Sequence, residues 1–274
     1  MRTSSAPASR PLDVARFRDL AGPVRLTRQV VACQTVESTN AVARQLGRNG
    51  AEDGTLVLAE EQTAGRGRRR RHWESPAGLG LYVSLVLRPP ASSQEYSTAV
   101  QLAAGIAVAE ALVDVQPHTA ELLWPNDCYC LGQKVAGVLV EGELTGPDLD
   151  FLVCGIGLNV NQQRSDFSDE LKGATSARLL AGHLVDREQL LARLVASMQH
   201  WDDIARDDGL QAVIDRWLLL APSAVGSVVD VRTHDGVLHG RCAGLSPSGA
   251  LRVVASGRTH EITAGELIRL RRQW

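Results

Sequence analysis

The sequence lacks the features that mark secreted and membrane-spanning proteins. Its 274 residues contain no CxxC pair and no apolar run approaching the ~20 residues that cross a bilayer. The first residues, MRTSSAPASRPLD, have no apolar centre of the kind found in secretion signals. The odd count of five cysteines favours a reducing compartment over a disulfide framework. We therefore predict a cytoplasmic protein with no membrane partner.

Several common motifs are also missing. Neither the GxGxxG dinucleotide fingerprint nor the GxxxxGK[ST] phosphate loop occurs, and no nucleophile triad pattern appears. Cys128 and Cys130 have no second cysteine pair or HxxxH to complete a zinc site, so we predict no metal site built by the protein alone. The formal net charge of -2 excludes a chain that attracts nucleic acid through its overall charge. Any cationic site must therefore be local.

The pattern of apolar residues predicts an α+β protein in two parts. Apolar residues make up 44% and charged residues 22%, which is typical of a globular chain. We predict strands over 26–36, 55–59, 81–87, 134–141 and 149–156, and helices over 40–46, over 98–113, from 186 and before 222. From residue 225 short β-type runs alternate with Gly-containing turns. The predicted organisation is a flexible tail (1–25), a mixed α+β domain (26–221) and a small β-barrel domain (222–274).

The segment 62–73 is the most unusual stretch of the chain. It crowds five arginines into six positions: Arg66, Arg68, Arg69, Arg70 and Arg71. Mutual repulsion and the neighbouring glycines predict a loop that is mobile when empty and ordered by an anion. A solvated basic run and a nucleic-acid or nuclear-localisation patch are the alternatives. The glycines, the aromatic face of Trp73 and the bidentate geometry of arginine favour a loop that handles phosphate.

Two further clusters carry polar residues beside apolar runs. Pro125 blocks helix continuation, which puts Asn126 and Asp127 in a turn; an Asx turn without chemistry is the alternative interpretation. Lys134 is one of only two lysines and opens an apolar run, where its charge would be costly without an anion. The glycines of residues 155–159 allow close approach of a ligand, and the Asn159 amide is suited to reading an adenine edge.

Together, and in this order, these motifs resemble the biotin protein ligases. The matching elements are Glu37-Ser-Thr-Asn40, Gln62-x-Ala-Gly-Arg-Gly-Arg-x-x-Arg-x-Trp73, Trp-Pro-Asn-Asp127, Lys134-x-Ala-Gly137, Gly-x-Gly-x-Asn159 and an Ala-Thr-Ser element at 174–176. The resemblance runs from about residue 30 to the C-terminus. It implies a mixed-sheet catalytic domain of the biotin/lipoate ligase type followed by an SH3-like β-barrel.

The resemblance also implies roles for individual residues. Arg68, Arg71 and Lys134 would be catalytic, with Arg68 and Lys134 neutralising the biotin carboxylate and the α-phosphate. The biotin-binding residues would be Ser38, Thr39, Asn40, Gln62, Gly65, Arg66, Arg68, Lys134 and Gly137. The ATP-binding residues would be Arg68, Arg71, Trp73, Asn126, Asp127 and Asn159, with Mg²⁺ arriving on the ATP phosphates. The implied partner is the biotin carboxyl carrier domain of an acyl-CoA carboxylase.

Two departures and two alternatives accompany this prediction. Arg70 stands where the family usually has Gly, and Leu123 where it usually has Lys. Family members that repress transcription carry an N-terminal winged helix, for which the residues before Glu37 leave no room, so we expect no specific DNA binding. A lipoate ligase is the alternative of related fold, and a nucleic-acid-binding protein is the alternative from another class.

Overall fold

A seven-stranded mixed sheet forms the centre of the larger part of the molecule. The computed structural model describes residues 10–90, 94–146, 148–222 and 225–271. The sheet order is β1-β2-β3-β7-β6-β5-β4; β1 and β2 run parallel and all other neighbours antiparallel. The strands are β1 (Val30–Val36), β2 (Thr55–Gln62), β3 (Gly80–Leu87), β4 (Ala120–Leu123), β5 (Asp127–Cys130), β6 (Gln133–Thr145) and β7 (Asp148–Asn159).

Helices cover both faces of this sheet. They are α1 (Val14–Ala21), α2 (Thr39–Arg48), α3 (Gln94–Ala111), α4 (Ala177–Ala181), α5 (Arg187–Asp207) and α6 (Leu210–Leu219). The Ala-rich α3 is buried in the main core. Its small side chains allow it to pack closely against the sheet on one side and against α5 and α6 on the other. On the opposite face α2 packs Ala43 against Val57, Val86, Phe151 and Val153.

A second sheet follows α6 and is entirely antiparallel. Its order is β11-β10-β9-β8-β12, built from β8 (Val228–Arg232), β9 (Val237–Leu245), β10 (Leu251–Ala255), β11 (Arg258–Ile262) and β12 (Glu266–Arg271). It is joined to the first part by Trp124, whose Nε1 donates to the Gly249 carbonyl at 3.3 Å. The predicted α+β class with an all-β C-terminal part is confirmed; the SH3-like barrel and the boundary at 221/222 stay predictions.

The predicted elements of the first sheet are present, with longer bounds in most cases. The helix predicted from residue 186 is α5, and Asp186 caps it, since its side chain accepts from the Gln189 backbone N–H at 3.0 Å. The first strand begins at Val30 rather than at residue 26, because Arg25–Thr27 forms a 3₁₀ turn. Within the ranges described above, no helix is both long enough and apolar enough to cross a membrane.

The predicted flexible tail over residues 1–25 is wrong for residues 10–25, while residues 1–9 lie outside the described residues. Residues 14–21 form α1, whose Phe17 is completely buried in the main core. Arg10 and Arg16 pair with Glu188 at 3.0 and 3.2 Å. The Ser-, Ala- and Pro-rich composition that favours a tail ends near residue 11. After it, the burial of Phe17 and the two ion pairs with Glu188 hold the segment against the main core.

Candidate active site

One cavity collects the residues that the motifs single out. It is lined by Ser38, Thr39, Asn40, Gln62, Arg66, Arg68, Arg71, Trp73, Asn126, Asp127, Lys134, Gly137 and Asn159. One side of the cavity is lined by three residues around the start of β12: Gly265, Glu266 and Leu267. Gly65 is the one predicted site residue that does not line the cavity. It lies behind the wall, where a Cβ would come within 2.4 Å of the Trp73 carbonyl oxygen.

One end of the cavity is polar, and the Gln62 side chain organises it through hydrogen bonds. This side chain, at the end of β2, accepts from the Thr39 backbone N–H at 2.8 Å and from Thr39 Oγ1 at 3.1 Å. Its Nε2 donates to Ser75 Oγ at 2.8 Å, which ties the start of α2 to the far end of the arginine segment. Ser38 precedes α2 and is almost fully buried, and its side chain makes no cap hydrogen bond to the helix.

Behind this polar end lies a buried network that includes a residue the motifs did not indicate. The Ser84 hydroxyl, in the middle of β3, donates to Asn40 Oδ1 at 2.7 Å. Asn40 Nδ2 in turn donates to Glu141 Oε2 at 2.8 Å. Burial alone would raise the pKa of Glu141, but the hydrogen bonds from Asn40 and Arg44 bring it below its ordinary value. A Cβ on Gly155 would lie 2.1 Å from Asn40 Oδ1, so this position excludes any side chain.

The middle of the cavity is cationic. Lys134 Nζ lies 2.7 Å from Asp127 Oδ1 and 5.5 Å from the centroid of the Trp73 ring. Its backbone is held by Gly173 and Thr175 through hydrogen bonds of 3.0 and 2.8 Å, which fix the start of β6. Asp127 is therefore an anion of the kind that a lysine in an apolar run needs.

Arg68 adds a second, partly buried cation. Burial lowers the pKa of Arg68 from its ordinary value, the Asp127 carboxylate raises it, and the adjacent cations Arg69 and Arg71 lower it further. An anion entering the cavity would relieve both the burial penalty and the repulsion between these guanidinium groups. The arginine segment is therefore built to receive negative charge.

The arginine segment forms a turn that reaches the second sheet. Arg68–Arg70 is a 3₁₀ turn in which Arg69 and Arg70 have φ values of 56° and 60°. Arg71 makes an ion pair with Glu266 of β12, and their hydrogen bond raises the pKa of Arg71 and lowers that of Glu266. The motifs did not indicate Glu266, because it lies 195 residues further along the chain. The predicted mobility of the empty loop stays a prediction.

Trp73 lies flat on the glycines of two strands. A Cβ on Gly157 would come within 2.5 Å of its Cε2 and Nε1 atoms, and one on Gly137 within 3.2 Å of Cζ3. The Nε1 atom is buried and has no hydrogen-bond partner. Gly137 and Gly157 are required for the close approach of the ring. The predicted approach of a ligand to the glycines of residues 155–159 stays a prediction.

At the other end of the cavity, the side-chain amides of Asn126 and Asn159 are hydrogen-bonded to other groups of the protein. Asn126 Nδ2 donates to the Val138 carbonyl at 2.6 Å. Asn159 Nδ2 donates to the Thr175 carbonyl at 3.0 Å, and its Oδ1 accepts from Gln162 Nε2 at 3.4 Å. The Oε1 atom of Gln162, a residue that the motifs do not include, is buried without a partner.

A protein-built metal centre does not occur in the described part of the chain. No group of three or more His, Cys, Asp or Glu side chains there is arranged to hold an ion. Cys128 and Cys130 are buried and free.

Comparison with known proteins shows the family. Residues 31–159 match the model of the Biotin/lipoate A/B protein ligase family. A biotin–[acetyl-CoA-carboxylase] ligase of Paracoccus denitrificans is 34% identical over 236 residues, covering 84% of this chain and 96% of that protein. The chain belongs to the biotin protein ligase family.

Two further relatives show how far the similarity extends along the chain. The bifunctional ligase/repressor of Bacillus subtilis is 34% identical over 217 residues, which make up 79% of this chain and 66% of that protein. The chain thus spans slightly less than two thirds of that relative. The biotin protein ligase of Aquifex aeolicus in complex with biotin and ATP is 30% identical with a TM-score of 0.75, covering 90% of this chain and all of that one.

Both departures of this family member from the usual motif have a structural counterpart. Arg70 stands where the family usually has Gly and adopts φ 60°, in the left-handed region that favours glycine. Leu123, where the family usually has Lys, lines the cavity and places an apolar side chain on its wall.

Proposed function

We propose that this protein activates biotin with ATP to biotinyl-5′-AMP and transfers biotin to a lysine of a biotin carboxyl carrier domain of an acyl-CoA carboxylase. The carrying observation is the set of features that line one cavity. A polar wall at Gln62, two cations (Arg68 and Lys134) and the aromatic side chain of Trp73 line it together. These features suit a substrate with a polar ring and a carboxylate that meets a nucleotide.

The polar end suits the ureido ring of biotin. Ser38, Thr39 and Gln62 offer hydroxyl and amide groups there, and Asn40 forms the supporting wall through Ser84 and Glu141. We propose that the backbone at Arg66 and at Gly137 completes the biotin site, with Gly65 behind its wall. Gly155 keeps the site free of side-chain bulk, because a Cβ there would displace Asn40.

The cationic middle suits the chemical step. In that step a carboxylate oxygen of biotin forms a bond to the α-phosphorus while the bond between the α- and β-phosphates breaks and pyrophosphate leaves. Two anions must approach each other, so the barrier is chiefly electrostatic and positional. Arg68 and Lys134 would neutralise the reacting groups, and Arg71 would hold the departing pyrophosphate after exchanging its partner Glu266 for phosphate.

The second step needs no nucleophile from the protein. The amine of the carrier lysine attacks the acyl carbon of biotinyl-AMP, and the bond between this carbon and the phosphate oxygen breaks. AMP leaves with the electron pair, and the amine nitrogen releases a proton to solvent as the amide forms. The arginine segment would cover the adenylate until the carrier arrives and so limit its hydrolysis.

Trp73, Asn126, Asp127 and Asn159 form the nucleotide end that we propose. Mg²⁺ would enter on the ATP phosphates, because Asp127, the carboxylate at the nucleotide end in this proposal, is already paired with Lys134. When bound, the ion supplies charge neutralisation for the phosphates. Cytoplasmic localisation and the absence of specific DNA binding stay predictions.

A lipoate ligase is the second candidate, and one experiment separates the two. We expect the protein to exchange radiolabelled pyrophosphate into ATP in the presence of biotin and Mg²⁺. Exchange that depends on lipoate but not on biotin would contradict the proposal. Leaving out the acid provides the control for exchange that does not depend on the acid.

A further inference from the structure

One tyrosine hydroxyl in the cavity is available to a ligand. Tyr129, in β5, lines the cavity, and its hydroxyl makes no hydrogen bond to any residue of the described ranges. The hydroxyl oxygen is not buried either, so a ligand can reach it. We propose that Tyr129 Oη donates a hydrogen bond to the pyrophosphate that leaves when biotin is activated, which makes Tyr129 a further catalytic residue.

The period of β5 directs Tyr129 to the cavity. Successive side chains of a strand point to opposite faces of the sheet. Cys128 and Cys130 are buried in the main core. Asp127 and Tyr129 therefore lie on the other face of the strand, where both line the cavity.

The pairing of β5 with β6 places Tyr129 beside the cationic middle of the cavity. Tyr129 lies opposite Lys134, and Asp127 lies opposite Gly137. Directly opposed residues of an antiparallel pair have Cβ atoms about 5 Å apart, and two residues along a strand span about 6.6 Å. Tyr129 is thus adjacent to Lys134 and further than Asp127 from Gly137, which belongs to the proposed biotin site.

Charged side chains of the cavity surround the phenol. Burial is the largest cause that raises the pKa of Tyr129 to about 12; the Asp127 and Glu266 carboxylates also raise it, and Arg71 lowers it. Asp127 is paired with Lys134, and Glu266 is paired with Arg71. The hydroxyl therefore lies between two ion pairs and stays protonated at neutral pH, as a neutral donor.

A neutral donor between these ion pairs suits a departing polyanion. Arg71 is the cation that we propose for pyrophosphate, and Lys134 is one of the two that we propose for the α-phosphate. A hydrogen bond to an ionised acceptor is stronger than one between neutral groups, and it strengthens as charge grows on the leaving oxygen. The inference rests on the proposed function, because it takes the ATP phosphates to lie between Arg71 and Lys134.

Pyrophosphorolysis of supplied biotinyl-AMP tests this contact. In this reverse step a pyrophosphate oxygen bonds to the α-phosphorus, the bond from that phosphorus to the biotin carboxylate oxygen breaks, and ATP and biotin form. We expect Tyr129→Phe, which keeps the ring, to lower kcat/KM for pyrophosphate about ten- to a hundredfold. Transfer of biotin from the same biotinyl-AMP to a carrier uses no pyrophosphate and should keep its wild-type rate.

Tyr82→Phe is the matched control. The Tyr82 hydroxyl donates to the Pro76 carbonyl at 3.0 Å, and its ring is buried in β3, so its loss should leave kcat/KM for pyrophosphate unchanged. Three results for Tyr129→Phe would overturn the proposal. Wild-type pyrophosphorolysis would show that the hydroxyl makes no such contact, and equal slowing of both half-reactions would indicate a structural role. Slowing of carrier transfer alone would assign the hydroxyl to the acceptor lysine.

A titration of the unmodified protein keeps the proposal testable if Tyr129→Phe fails to fold. The chain has three tyrosines, so isotopic labelling of the phenol carbon that bears the oxygen gives three NMR signals. Magnesium pyrophosphate should shift the Tyr129 signal and leave those of Tyr82 and Tyr96, assigned through their own Phe variants, in place. A Tyr129 signal that does not move at millimolar pyrophosphate would overturn the proposal.

The same titration separates the inference from the proposed function, because it contains no biotin. A protein without biotin-dependent exchange whose Tyr129 signal still responds to pyrophosphate would contradict the proposed function and support the contact. Biotin-dependent exchange with an unresponsive Tyr129 signal would contradict the contact alone.

Discussion

Lys134→Met is the substitution that tests the cationic centre most sharply. Methionine preserves the length and apolar stem of the side chain beside Trp73 and Gly137, so the packing is retained while the charge is lost. A preorganised electrostatic contact of this kind contributes about 3 kcal/mol to the transition state. We therefore expect biotinyl-AMP formation to slow by roughly a hundredfold in a single-turnover assay.

The stability of the fold should change little in this variant. The side chains of Lys134 and Asp127 are 29% and 25% exposed, so solvent screens their ion pair and its loss should cost less than about 1 kcal/mol. Thermal unfolding checks this expectation. Lys172→Met is the matched control, since Lys172 is the only other lysine and its pair with Asp169 is largely exposed.

A double substitution separates two causes of the slower reaction. Removing Lys134 also leaves the Asp127 carboxylate without its partner, and this carboxylate would then repel the incoming anions. If repulsion caused the loss, Lys134→Met with Asp127→Asn would recover most of the rate. We expect the double variant to stay slow, because the missing cation is the main cause. Near-normal adenylate formation in a folded Lys134→Met protein would refute the role of Lys134.

Three further predictions address the loop, the biotin wall and acid stability. Arg68→Gly should leave the segment over the adenylate open, so that biotinyl-AMP escapes and labels lysines of a bystander protein, measured by blotting for biotin. Gly155→Ala should raise the KM for biotin at least tenfold, or about 1.4 kcal/mol, because the new Cβ would lie 2.1 Å from Asn40 Oδ1. The hydrogen bond from Arg16 holds the pKa of Asp186 at about 2. Because this pKa is depressed, the stabilisation by Asp186 is complete above the ordinary value of 3.8 and disappears as the pH falls through 2. The melting temperatures of wild type and Asp186→Asn should therefore differ at neutral pH and converge in acid.

Each of these expectations has a result that contradicts it. An Arg68→Gly protein that still modifies only the carrier would show that the segment does not retain the adenylate. Gly173→Ala is the control for Gly155→Ala, since nothing lies within 4 Å of a Cβ at that position, and equal effects of the two would argue against the Asn40 clash. A melting-temperature difference for Asp186→Asn that persists unchanged to pH 2 would exclude the Arg16 pair as its cause.

The sequence alone predicts those site residues whose type is unusual for the stretch of chain around them. The arginine segment, the lone Lys134 in an apolar run and the glycines at 155 and 157 are exceptions to ordinary composition, and the structure places them around one cavity. Such positions are visible because a charge or a glycine there would be unfavourable without a specific partner.

Other parts of the site depend on contacts between distant segments and could not be predicted in this way. Ser84 lies inside an apolar strand and gives no local signal, while Glu266 reaches Arg71 from the second sheet. The Asn159 amide is held between the Thr175 carbonyl and Gln162, a set of contacts that no spacing rule reveals. The order of residues 10–25 likewise depends on the burial of Phe17 against the main core.

The mass of a carrier domain after reaction tests the central claim most directly. The protein is incubated with biotin, ATP, Mg²⁺ and a biotin carboxyl carrier domain, beside a carrier whose acceptor lysine is replaced by arginine. We predict that the intact carrier gains the mass of one biotinyl group, that the gain requires ATP and Mg²⁺, and that the arginine carrier gains nothing. A competent carrier that stays unmodified with biotin, or that gains mass only with lipoate, would contradict the account.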